Sequence, residues 1–155
     1  MPINLKPIDP AGKFRPGSSV LFVACGACPR MCLAAGQKKP YFSISHFLRR
    51  PDYFEAFIAA MRARLEKENI RSAVFKTPFL SAMMCLWPLE TRERLRRQLS
   101  GFDAVAVIGC SSAAATVKGA SGSSAAPVVQ LSEELGIANF ITRVRFPFRM
   151  EITGS

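Results

Sequence analysis

The sequence predicts an α/β domain built on a single open, mostly parallel sheet of four to five strands with flanking helices. Three observations carry that expectation. Short apolar runs without alternation recur along the chain, as strands covered on both faces require. Helical segments separate them, and strand–helix–strand order favours parallel pairing. The 155 residues are 49% apolar and 21% charged, a composition that fits one globular core and not a disordered chain.

Residues 1–18 read as an extended lead-in, kept from regular structure by Pro2, Pro7, Pro10 and Pro16. The cysteine-rich α/β domain spans 19–155. Its first strand is Ser19-Val-Leu-Phe-Val-Ala24, and Pro29 can open a short helix that Gly36 ends. The best helix runs from about Pro51 to Asn69, where Phe54, Phe57, Ile58, Met61 and Leu65 form one stripe. Ser72 to Phe79 is the second strand, weakened by Pro78. Pro88 to Leu99 is a second long helix, closed by Ser100-Gly101. Asp103-Ala-Val-Ala-Val-Ile108 is the clearest strand and leads through Gly109-Cys110 into a helix over Ala113 to Lys118. Gly119 to Ser124 reads as a flexible loop and Pro127 to Leu131 as a fourth strand. Ser132 to Leu135 is at most a helical turn, and Asn139 to Phe146 an edge strand. Sheet and helices together imply flavodoxin-like layering.

Twenty-one Lys and Arg against eleven Asp and Glu give a formal net charge of +10. Such a balance favours an acidic partner: a protein subunit, a nucleic acid, an anionic membrane or a polyanionic substrate. No secretory signal is read at the start, and the most apolar stretch, Val20 to Gly36, contains Pro29 and Arg30 and is too short to span a membrane. A cytoplasmic setting is expected, where five cysteines serve as thiols or ligands and not as disulfides.

Those cysteines carry the chemistry. Cys25-Gly-Ala-Cys28-Pro-Arg-Met-Cys32 is a C-x2-C-x3-C run. The first spacing lets two thiolates grip one metal across a tight turn. The second is one helical turn, so Cys28 and Cys32 share a side. A helix start adds free N–H groups that favour thiolate. Cys25 and Cys110 each follow a strand, and Cys85 lies between the second strand and its helix. The carboxyl ends of parallel strands share one edge, so all five are expected there. Cys25, Cys28 and Cys32 are the expected ligands of zinc or a [4Fe–4S] cluster. Cys85 or Cys110 supplies the fourth thiolate, Cys85 being preferred because a loop adjusts to a metal more readily than a strand end.

These residues resemble the small, cysteine-rich (MetV-type) subunit of methylenetetrahydrofolate reductases. The resemblance rests on strand-Cys-Gly-x-Cys-x3-Cys at Val20 to Gly36, on the Cys85 segment, and on Asp103-Ala-Val-Ala-Val-Ile-Gly-Cys110. It implies a metal- or iron–sulfur-bearing accessory subunit beside a flavin-containing catalytic subunit, in one-carbon metabolism.

Two other classes stay open. Cys25-Gly-Ala-Cys28 has the form of a dithiol redox motif, though Cys32, Cys85 and Cys110 would then have no part. Arg49-Arg50 and Arg92 to Arg97 could meet phosphates as a basic nucleic-acid-binding module, but no recognition motif accompanies them. His46, the single histidine, is more simply explained by a surface or packing role, and Trp87-Pro88 beside Cys85 could shield the site or equally well pack in the core.

Overall fold

The computed structural model describes residues 2–43, 52–77, 82–122, 126–146 and 148–154. His46, Arg49-Arg50 and Pro78 to Ser81 lie outside them.

Strand β2 (Ser19–Ala24) is buried along its length, because each of its faces packs on a different layer. Val20 and Phe22 enter one core and Leu21 and Val23 the other. Strand β5 (Ala104–Ile108) alternates in the same way and pairs with β2 in parallel, Val20 opposite Ala104 through Ala24 opposite Ile108. Strands β4 (Arg71–Val74) and β6 (Val128–Gln130) complete a parallel sheet in the order β4-β2-β5-β6. The expected parallel sheet is therefore present, with four strands.

Helix α1 (Cys28–Gly36) and helix α2 (Tyr53–Lys67) bring Ala34, Phe54, Ile58, Met61 and Leu65 to one face of this sheet. Asp52 starts α2 with a full capping box: its carboxylate accepts from the N–H of Phe54 and Glu55, while Glu55 accepts from the N–H of Asp52. Helix α3 (Leu89–Leu99) and helix α4 (Ser111–Ser121) cover the other face with Leu95, Leu99, Ala113 and Val117. Helix α4 reaches Ser121, so part of the expected Gly119 to Ser124 loop is helical. Its small residues allow the close packing that a loop reading discounts.

The sheet is not the whole fold. Strand β1 (Ile3–Pro7), inside the expected lead-in, pairs antiparallel with β7 (Ser132–Ile137), where a helical turn was expected. Each segment supplies the ladder that the other needs, and pairing overrides local preference. Strand β3 (Pro40–Ser43) joins β9 (Arg149–Gly154) and β8 (Phe140–Arg145) in a second antiparallel sheet of order β3-β9-β8. The expectation of a single sheet is thus corrected to one parallel sheet with two antiparallel companions. Strand β8, expected at an edge of the one sheet, stands instead at an edge of this separate antiparallel sheet. Among the described residues no helix is long and apolar enough to cross a membrane.

Candidate metal centre

The strand order fixes where a ligand belongs. The chain leaves β2, builds β4 on one side, then returns to build β5 on the other. The carboxyl ends of β2 and β5 therefore flank the topological switch point, the usual crevice of an open α/β sheet. Cys25 follows β2 and Cys110 follows β5, so both stand at this crevice. The Cys25 N–H donates to the Ile108 carbonyl at 2.9 Å, which extends the ladder to the crevice.

Two glycines let the backbone close around it. A β-carbon on Gly109 would lie 2.7 Å from that of Ala113 and 3.3 Å from that of Cys25. A β-carbon on Gly26 would lie 3.0 Å from that of Ala82. Gly26 also donates its N–H to the Ala82 carbonyl at 2.8 Å, tying the segment before Cys85 to the cysteine loop.

Cys25 is buried, and its thiol donates to the Ala82 carbonyl at 3.6 Å. Burial pushes this thiol above the ordinary value of 9.0; the backbone N–H groups of Met84 and Ala27 pull it down, and the nearby thiols of Cys28 and Cys110 raise it further. The thiols of Cys28 and Cys110 thus both lie close enough to Cys25 for their charge to reach it. Cys28 is the first residue of α1, and Cys110 is the N-cap of α4, with the Cys110 carbonyl accepting from Ala114 at 3.0 Å. Tyr41 belongs to the same group: its hydroxyl donates to the Gly26 carbonyl at 3.5 Å. Burial raises it, Arg30 lowers it, and Cys25 and Cys28 raise it.

The other two cysteines stand differently. Cys32 shares the Cys28 side of α1 and senses its charge, but its sulfur accepts from the Leu5 N–H at 3.3 Å and donates to the Ile3 carbonyl at 3.5 Å. Burial raises this thiol and the Leu5 N–H lowers it. Cys85 is exposed, in a 3-10 turn (Met84–Leu86) anchored by buried Met84 and Trp87. All five are free thiols.

The donor set suits zinc or a cluster in kind, since four thiolates are what both accept. The side chains do not converge as they stand: among the described residues no group of three or more His, Cys, Asp or Glu side chains is arranged to hold a metal ion. Cys25 and Cys110 follow neighbouring strands and Cys28 lies within charge reach of Cys25, whereas the Cys32 sulfur is held by β1 and Cys85 is exposed, so a centre shared by more of them would require their side chains to reorient.

Arg30 braces the wall. It pairs with Asp52 and lies over the rings of Tyr41 at 5.8 Å and Tyr53 at 5.5 Å. Beyond it a cavity of about 530 Å³ is lined by Gly26, Arg30, Phe42, Phe54, Ile58 and Phe75, among others. Sequence reasoning did not single out Tyr41, Arg30 or Ala82 as neighbours of the cysteines. The aromatic segment from Tyr41 to Tyr53 was the available signal.

No family model matches the chain, and neither a curated protein nor a solved structure matches it.

Proposed function

We propose that the chain is a thiolate-ligated accessory or electron-transfer subunit of an oxidoreductase complex, holding zinc or a [4Fe–4S] cluster at the switch point of its parallel sheet. What supports this reading is that Cys25 and Cys110 follow the paired strands β2 and β5 and that the thiols of Cys28 and Cys110 both lie within charge reach of Cys25. In this reading Cys25, Cys28, Cys32 and Cys110 are the ligands. Cys32 joins by exchanging its bonds to β1 for the metal, and Cys85 is the spare thiol. Cys110 takes the place given to Cys85 on sequence grounds because it lies within charge reach of Cys25. When bound, such a centre would supply either a fixed four-point tie or a one-electron relay. The protein's own part is to exclude water from Cys25, to present backbone N–H groups to its sulfur, and to hold the two strand ends together.

The likeness of the cysteine spacing to the MetV-type subunit extends the proposal to a flavin-containing partner and to one-carbon metabolism. Net charge +10 fits an acidic partner.

A metal-free dithiol enzyme fits less well. Its attacking thiol needs a lowered pKa and access, whereas Cys25 is buried and raised. Nucleic-acid binding also has less support, since Arg92 donates to the Trp87 carbonyl at 3.2 Å and the exposed Arg94 to the Lys76 carbonyl at 2.6 Å, so both guanidiniums are engaged by the chain's own backbone. Anaerobic purification with metal and sulfide analysis tests the proposal. Bound zinc, or iron with sulfide, supports it; metal-free protein with disulfide-reductase activity overturns it.

A further inference from the structure

We propose that the free edge of β8 and the apolar tip of the β8–β9 hairpin dock an acidic β-strand of another protein. This deepens the partner reading above, but it rests on residues outside the cysteine site.

Among the described residues β8 pairs with β9 alone, so its outer row of backbone N–H and carbonyl groups is open to a further strand. The same hairpin is unusually apolar for a surface. Phe146 is 93% exposed, Val144 71%, Phe148 65% and Ile141 55%. The registered partners of β8 on β9 include Ile152, which is buried, so one side of the hairpin is anchored while its tip projects. Phe148 holds a left-handed backbone at φ 49°, a conformation that a bulky residue adopts at a cost of about 1–2 kcal/mol. A chain that only needed a turn would place glycine or asparagine there.

Charge identifies the occupant. Arg143, Arg145 and Arg149 flank the tip, and the single carboxylate of Glu151 accepts from both Arg145, at 3.4 Å, and Arg149, at 3.0 Å. Three guanidiniums against one acid leave a positive excess. A second copy of a chain with net charge +10 brings the same arginines and is repelled. An anionic bilayer would accept the phenylalanines and arginines but would leave the strand edge without hydrogen-bond partners. An acidic strand satisfies all three features: ladder, apolar contact and charge.

The test is an NMR titration of the full, isotope-labelled chain with a synthetic peptide of about six residues alternating valine and glutamate, the length of an ordinary strand. Shift changes confined to residues 140–149 are expected, with slowed exchange of β8 amides and weakening as salt rises. Phe148→Asn and Arg143→Glu should each weaken binding about tenfold, equivalent to 1.4 kcal/mol. Asparagine tolerates the left-handed backbone, so Phe148→Asn keeps the hairpin, and unchanged circular dichroism verifies this. No binding, or shifts elsewhere, overturns the proposal. So does binding of these residues to phosphatidylserine vesicles without protection of β8, or a self-dimer abolished by Phe148→Asn. Metal content of both variants should equal that of the parent, which separates failure here from failure of the metal reading.

Discussion

The parallel sheet and the β8–β9 hairpin obey opposite rules. Every residue of β5 is buried, and its side chains alternate between two cores that helices cover. Strand β8 is exposed along nearly its whole length although it too carries apolar side chains. The first region completes its own burial; the second leaves apolar surface for something else to cover. Residues that make the fold therefore separate in space from residues available for association, and the cysteine edge lies on the self-sufficient side.

Substitution can break that contrast. The largest effect is expected for Leu65→Ala, where a fully buried side chain beneath α2 leaves a void, with a loss of about 2–5 kcal/mol. The matching truncation Val144→Ala on β8 should stay within about 0.5 kcal/mol. Equilibrium urea unfolding reads both, and equal losses would erase the distinction between the two regions.

Asp52→Ala should follow, at about 1–2 kcal/mol, because it removes the α2 capping box and leaves the half-buried Arg30 without its carboxylate. The same variant should loosen the packing of Arg30 on Tyr41 and Tyr53, so thiol labelling of Cys28 should quicken. Unchanged labelling would show that the Arg30 brace does not reach the cysteines.

The smallest effect is expected from pH. Cys25, Cys32, Tyr41 and Tyr53 are all raised chiefly by burial. Above the ordinary thiol value of 9.0 the unfolded chain loses protons that the native chain keeps, so stability of the metal-free protein falls as pH rises. Unfolding midpoints followed from neutral pH through that value check the direction. Cys25→Ser should flatten part of the fall, whereas Val144→Ala should leave it intact.

How much of this was legible in the sequence follows from how local each cause is. Strands β2 and β5 announce themselves because burial on both faces demands unbroken apolar runs. Helix α2 does so through its stripe and through Asp52 at its start. The placement of Cys25 and Cys110 at the carboxyl ends of strands also follows from sequence, since each ends such a run, whereas the switch point between them needed the strand order. Strand β7 was concealed, because Ser132-Glu-Glu-Leu135 has the residues of a helix start; its partner β1 comes from the far end of the chain. Strand β9 was hidden for the same reason, needing β3 and β8 beside it. That distant pairing also decides Cys32. Helical spacing places it beside Cys28, yet the Leu5 N–H that holds its sulfur sits in a segment read as structureless.

The cysteine edge itself is best tested by metal and sulfide content per chain after anaerobic preparation of the parent, Cys110→Ser and Cys85→Ser. One centre per chain is expected in the parent and in Cys85→Ser, with its loss in Cys110→Ser despite an unchanged fold. A metal-free parent, or full metal content in Cys110→Ser, would contradict a centre shared between the ends of β2 and β5.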